Sequence, residues 1–438
     1  MTLLFRIALV LFSTLVFSQS HFRLTKNENK GVIPFIESNH LVIIPVNLNG
    51  VDLNFLLDTG VENTVLFSLE ETDSINFENI EKIKIKGLGS GEAMDALKSS
   101  KNNLIIENYV DPEHEVYIIL DESINFSSQL GIPVHGIIGY SFFKDHLVEI
   151  NYSKRRVFVY PHSNKSLNKK LSKLTSLPIS IESQKPYITL TTGLHNENLE
   201  TKLLIDTGNS DAIWLFEDTK IKAPALFFND FLGRGFSGDI FGKRSRLDHL
   251  KIQEYVINQP TVSFPDQTSL LGVNLVNNRN GSVGSSILRR FNVIYDYKNS
   301  QVFLDKNSNF EDPFNYNMSG MELEHAGMQY VEEKVELFTN AINAIPVDIN
   351  TDLPRKFKYN FSLKPVLVVL SVRPDSPAAI AGIKKGDELK KINGALAYRY
   401  KLYEINEILQ SEEGKWITIE YERNKKLFKT KIQLKKIL

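Results

Sequence analysis

Short β-branched apolar runs alternate with tight polar turns along this chain, and one order of runs occurs twice. Leu41-Val42-Ile43-Ile44-Pro45-Val46 reads as a strand. Asn49-Gly50 follows, a strong two-residue hairpin signal, and Leu53 to Leu57 reads as the return strand. Further on, Tyr187 to Thr191, a polar turn from Gly193 to Asn198, and a return from Thr201 to Ile205 repeat that order. A period of about 145 residues is far too long for a solenoid and implies two related lobes.

The ends of the two units match as well. Gly136-Ile137-Ile138-Gly139 reads as a Gly-x-apolar-Gly turn leading into a short helical piece. A hairpin of Leu147 to Tyr152 and Val157 to Tyr160 closes the unit. The second copy runs Gly281-Ser282-Val283-Gly284, then Phe291 to Tyr297, then Val302 to Leu304. These limits put lobe 1 at 33–160 and lobe 2 at 178–305, with the Ser-, Asn- and Lys-rich stretch Pro161 to Leu177 as linker. Between the matched ends lie two glycine-rich loops, Gly87, Gly89, Gly91 and Gly233, Gly235, Gly238. Glycine at this density suits a hairpin tip, so both are candidate flaps over a site between the lobes.

The remainder, 318–438, has a different character. Val366 to Val372 is a buried-strand run. Ser376 suits a helix N-cap, Pro377 the first helical position and Gly382 the stop. Glu388 to Ile392, the turn Asn393-Gly394, a helix over Tyr403 to Leu409, and strands over Trp416 to Tyr421 and Leu427 to Leu434 complete a third domain. Residues 327–360 read as an insertion or arm.

Composition narrows the function classes. A chain of 438 residues has room for two or three domains. Its formal net charge of -1 gives no hint of a nucleic-acid partner, and none is expected. The absence of cysteine removes disulfides, thiolate metal sites and Cys nucleophiles. The nine histidines are scattered without ligand spacing, so neither a metal nor another cofactor is expected. Arg6, the apolar run Ile7 to Phe17 and the small residue Ser18 read as a secretory signal, residues 1–18, cut to leave Gln19 first. That run is too short for a comfortable membrane span, so the expectation is an exported, periplasmic or extracellular protein, soluble after processing.

The chemistry sits at the strand ends. Asp58-Thr59-Gly60 follows Phe55-Leu56-Leu57, and Asp206-Thr207-Gly208 follows Leu203-Leu204-Ile205, 148 residues later. Two carboxylates brought together by a duplicated fold cannot both ionise cheaply. One keeps a proton and can polarise a carbonyl, and the other can take a proton from water. Thr59 and Thr207 can bridge the loops by hydrogen bonds, and Gly60 and Gly208 permit close backbone approach.

With these motifs the chain resembles the pepsin and retropepsin group of aspartic peptidases. Ile137-Ile138-Gly139 and Ser282-Val283-Gly284 look like the group's apolar-apolar-Gly element, with Ser282 as a departure. The resemblance implies a mainly β, bilobed acid-protease fold with Asp58 and Asp206 as the catalytic pair acting on polypeptide. Val61 and Asn209 stand where members often carry Ser, Thr or Ala. Val61 offers no hydroxyl to the carboxylate, whereas Asn209 has an amide to offer. Weaker support for the ionised form predicts a pH optimum less acidic than in digestive members.

Ser376-Pro377-Ala378-Ala379-Ile380-Ala381-Gly382-Ile383, Gly386-Asp387-Glu388-Leu389 and Ile392-Asn393-Gly394 resemble a PDZ domain. The resemblance implies a groove that binds a C-terminal peptide by strand addition, with the carboxylate on backbone amides. Two segments are candidates for that loop, Gly320-Met321-Glu322-Leu323 and Phe361-Ser362-Leu363. The main reading is an exported aspartic endopeptidase with a PDZ domain for recognition or regulation. Its rivals are a non-catalytic peptide-binding protein that keeps the fold and an enzyme that processes only itself.

Overall fold

The computed structural model describes residues 21–25, 28–67, 74–85, 94–121, 124, 126–271, 273–337 and 356–438. The signal segment and the glycines Gly87, Gly89 and Gly91 lie outside them. The described chain is mainly β, in four sheets.

Each lobe is built on one hairpin. Strands Leu41–Leu48 and Val51–Leu57 pair in register through Leu48 and Val51. Asn49 and Gly50 both have positive φ, 49° and 92°, which is the two-residue turn whose twist matches the strands. In lobe 2, Lys185–Leu194 and Glu197–Asp206 pair through Leu194 and Glu197. There the turn is His195-Asn196, at φ 56° and 62°. Both strands run longer than their β-branched cores suggest, because cross-strand pairing carries polar residues along with them.

The Gly-x-apolar-Gly elements correct the sequence reading. They are strands rather than turns. Gly136–Ile138 pairs parallel with Phe55, Leu56 and Leu57, and antiparallel with Val65 and Leu66. Arg279–Gly284 does the same against Leu203 to Asp206 and against Ile213, Trp214 and Leu215. The glycines serve close approach. A Cβ on Gly136 would lie 2.5 Å from the Val65 carbonyl oxygen, and one on Gly281 would lie 1.8 Å from that of Trp214. Short helices Tyr140–Phe143 and Ser285–Leu288 follow, as expected.

The lobes join through a six-stranded sheet, with three strands from the lobe-1 side, two from lobe 2 and Thr175–Pro178 from the end of the linker. Its central pair is Leu147–Asn151 against Phe291–Asp296, with Glu149 opposite Ile294. One apolar core runs through both lobes and this sheet, from Ile33 and Phe55 to Leu203 and Val293. The linker is more ordered than its composition suggests: Lys165–Leu171 is a helix capped by Asn164, and it buries Leu167 and Leu171.

The third domain has its own core, centred on Leu389, Ile405 and Ile417. Ser376 caps Pro377–Ile380 by accepting from the Ala379 amide, and Gly382 ends it at φ 81°. Helix Leu402–Leu409 buries Leu402, Ile405 and Leu409. Of residues 327–360, read as an insertion, 327–337 and 356–360 instead continue the sheet, and 338–355 lie outside the described residues. Strand Met321–Leu337 pairs with Lys356–Val372 along its length. Phe228 of lobe 2 packs in the third domain's core against Tyr316, at 5.3 Å between ring centroids.

Candidate active site

The two Asp-Thr-Gly loops meet head to head where the lobes face each other. Each follows its return strand, and each is pinned from behind by the glycine strand: the Asp58 amide donates to the Ile138 carbonyl at 2.9 Å. A Cβ on Gly139 would lie 2.5 Å from the Asp58 carbonyl oxygen, so the glycine leaves room for the loop to fold back.

Thr59 and Thr207 tie the loops to one another. The Thr59 amide donates to Thr207 Oγ1 at 2.9 Å, and the Thr207 amide donates to Thr59 Oγ1 at 3.0 Å. Each hydroxyl then donates across the interface, Thr59 to the Ile205 carbonyl at 2.6 Å and Thr207 to the Leu57 carbonyl at 2.8 Å. Both residues are buried, so these bonds are shielded from water.

The carboxyls lie against the opposite glycines. A Cβ on Gly208 would stand 2.2 Å from Asp58 Oδ2, and one on Gly60 would stand 2.9 Å from Asp206 Oδ1. Within each loop the glycine amide supports its own aspartate. Gly60 donates to Asp58 Oδ1 at 2.6 Å, and Gly208 to Asp206 Oδ1 at 3.2 Å.

Burial pushes the Asp58 carboxyl up, to about 8, and the Asp206 charge pushes the same way. The Gly60 amide and Lys185 pull it back. Burial also raises Asp206, against the charge of Arg279. The pair titrates as a unit and shares a proton over a broad pH range. Above it opens a cavity of about 910 Å³.

Val61 and Asn209 differ in their surroundings. Val61 packs on Gly139, where a Cβ would lie 2.6 Å from its Cγ2. Asn209 does not turn its amide to a carboxylate. It donates to Ser282 Oγ at 3.3 Å, while its Oδ1 accepts from the Asp211 amide at 3.0 Å. The two departures in the second copy thus pair with each other.

Gly233 and Gly235 lie in a hairpin of lobe 2, Phe228–Gly235 against Gly238–Arg246. Gly233 and Gly238 have positive φ, at 138° and 112°. The hairpin lines the cavity, and Phe236 at its tip meets Phe126 of lobe 1 edge-on at 5.8 Å.

The two candidate carboxylate loops fare differently. Phe361, Ser362 and Leu363 are no loop; they pair mid-strand with Glu332, Val331 and Tyr330. Gly320 does sit in a turn, at φ 75°, ahead of strand Met321–Leu337, and Leu323 lines the cavity. Its amides are already used, however. Ser319 and Gly320 donate to Asn317 Oδ1 at 3.0 and 3.2 Å, and Met321 donates to Ser319 Oγ at 3.2 Å.

Several residues at the site escaped the sequence reading. Lys185 and Arg279 lie close enough to act on the aspartates, yet nothing in their local sequence marks them. Asp211 is a hub: it accepts from Trp214 Nε1 at 2.7 Å, from Arg244 at 2.8 Å and from Ser263 at 2.8 Å. The one visible signal was an acid five residues after Asp206, where the first copy has Asn63. Among the described residues no group of three or more His, Asp or Glu could hold a metal ion. Nor is any described helix long and apolar enough to cross a membrane.

Comparison with known proteins agrees with both resemblances. Residues 44–142 match the aspartyl protease family model, and residues 368–423 match the PDZ domain model. No curated protein matches the chain. Among solved structures, an aspartic proteinase from Irpex lacteus is similar at 14% identity and a TM-score of 0.43, covering 65% of this chain and 100% of its own. The architecture is the one the resemblance implied: two related β lobes followed by a PDZ domain.

Proposed function

From a chain with an aspartyl-protease lobe and a PDZ domain, we propose an exported aspartic endopeptidase. In this reading Asp58 and Asp206 activate water between them for attack on a peptide bond, and no covalent intermediate forms. The observation that carries it is the mutual placement of carboxyl and glycine, Asp58 against Gly208 and Asp206 against Gly60. That packing forces two acids into one buried site, where one proton is retained. The ionised carboxylate takes a proton from water as oxygen attacks the carbonyl carbon. The protonated partner donates to the carbonyl oxygen. Collapse of the tetrahedral adduct returns a proton to the leaving amine.

The cavity and the lobe-2 hairpin suit a polypeptide laid across the dyad. The PDZ domain serves peptide recognition, and the N-terminal segment serves export. Casein turnover by wild type against Asp58→Asn tests the central claim. Cleavage by the wild type and its loss in the variant are expected. Equal cleavage by both would remove the dyad from the chemistry. Binding without cleavage by the wild type across about pH 3 to 8 would leave the peptide-binding rival. Export predicts a secreted chain that begins at Gln19, which N-terminal sequencing reads.

A further inference from the structure

The cavity above the dyad does not end with the lobes. Its lining continues onto helix Leu402–Leu409 of the PDZ domain, at Tyr403, Asn406 and Glu407, and onto its C-cap Gln410. These positions are spaced i, i+3, i+4 and i+7, which is one face of a helix. All four carry hydrogen-bonding groups, whereas the opposite face is buried in the domain core. The apolar spacing therefore turns a polar face toward the catalytic cleft.

Two contacts hold that face in place. Asn406 Nδ2 donates to Asn39 Oδ1 of lobe 1 at 3.3 Å. Gly131, just after helix Phe126–Leu130, abuts Leu402 so closely that a Cβ would lie 2.6 Å from the leucine Cβ. Gln129, on the lobe-1 helix that packs beside this one, also lines the cavity, and its Nε2 is buried with no hydrogen-bond partner among the described residues. A buried donor left unpaired is disfavoured, and a ligand carbonyl would satisfy it. Strand Met321–Leu337 is an edge of its sheet, and Leu323 on it also lines the cavity.

The end of this groove is unsuited to a chain terminus. Asn317 and Ser319 already take the loop amides that would hold a carboxylate. Glu322 is half-buried beside them and accepts from Asn317 Nδ2 at 3.1 Å. A terminal carboxylate would have to displace a side chain from those amides next to an acid.

We infer that the substrate site of the cleft continues over the PDZ helix and takes an internal stretch of the polypeptide being cut. That stretch lies on the Tyr403–Gln410 face beside Gln129, with main-chain groups as the recognised chemistry and no free C-terminus required. The inference rests on the peptidase reading for its substrate, but its test does not need turnover.

The probe is a fluorescent β-casein fragment of about 16 residues, long enough to span about 50 Å when extended. It is made with a C-terminal carboxylate and with a C-terminal amide, alongside its central six residues. Binding is read by anisotropy on the full Asp58→Asn chain. The two long forms should bind within twofold of one another. Tyr403→Ala with Gln410→Ala should cut the affinity ratio of long to short fragment about tenfold, with short-fragment binding reporting a folded cleft. A carboxylate preference above tenfold, an unchanged ratio, or no binding of the long fragment would each overturn the inference. Wild type that binds the long fragment as expected yet cuts nothing would sink the peptidase reading alone.

Discussion

Thr59 and Thr207 exchange backbone-to-hydroxyl hydrogen bonds across the lobe interface, at 2.9 and 3.0 Å. The relation is reciprocal, so neither loop can move without breaking the other's contacts. Thr207→Val keeps the shape and removes the hydroxyl. It leaves the buried Thr59 amide unpaired, at a cost of about 1–3 kcal/mol. Thermal unfolding should register that loss, and turnover should fall through kcat more than through KM. A variant of unchanged stability and unchanged kcat would show that the loops are held otherwise.

Gly208 is required by contact rather than by backbone conformation, since its φ is not positive. A methyl group would meet Asp58 Oδ2 at 2.2 Å. Gly208→Ala therefore must push the carboxyl out of line. The overpacking should cost about 1–3 kcal/mol, while displacement of about an ångström costs roughly 100-fold in turnover. Activity retained within threefold of wild type would contradict the packing argument.

The dyad gives stability a pH signature of known sign. Asp58 is raised in the folded chain from 3.8 to about 8 by burial, then by the Asp206 charge. Between those values the folded state holds more protons than the unfolded one. The contribution is complete below about pH 3.8 and is lost as pH rises through about 8. Asp58→Asn should thus melt higher than wild type near pH 8, with the gap closing toward pH 4. Catalysis should fall over the same alkaline range, because the shared proton is lost. A gap that widens toward acid pH would reverse the assignment.

Arg244 bridges two acids, Asp211 beyond the second catalytic loop and Asp230 in the hairpin, each at 2.8 Å. Arg373 of the PDZ domain reaches Asp230 at 3.6 Å, which extends the chain of charges across the domain boundary. Removing one member of a buried pair costs about 3–5 kcal/mol, because the partner charge stays buried. Arg244→Met should show that cost in urea unfolding and should also lower turnover. Arg244→Met with full stability would mean that the acids find other partners.

Glu322 belongs to the same boundary. Burial, then the Asp230 charge, raises it from 4.5 to about 7. Its contribution is complete below about pH 4.5 and fades as pH rises through about 7, so neutral Glu322→Gln should be relatively stabilising above pH 7 and near neutral in effect below pH 4.5. Melting curves at pH 4 and pH 8 decide this, and a variant destabilised equally at both would point to lost shape rather than charge.

The duplication, the hairpins and the pairing of two Asp-Thr-Gly loops were legible because each depends on local chemistry. Asn49-Gly50 needs positive φ, β-branched runs need a half-buried sheet, and Ser376-Pro377 needs a helix start. Gly136 and Gly281 were visible as important but misread as turns. Their reason is a neighbouring carbonyl from a strand distant in sequence, which no local pattern encodes. The same limit hid Lys185, Arg279 and Arg244, whose work is electrostatic and crosses lobes. Phe361 to Leu363 resembled a loop until pairing with Tyr330 to Glu332 made it a strand. The sequence by itself determined which residues could do acid–base chemistry and which segments form strands. Tertiary structure alone decided how close the carboxyls lie, how far burial raises them, and that the PDZ helix shares their cavity. Those are distances between segments, and they follow from packing in three dimensions rather than from order along the chain.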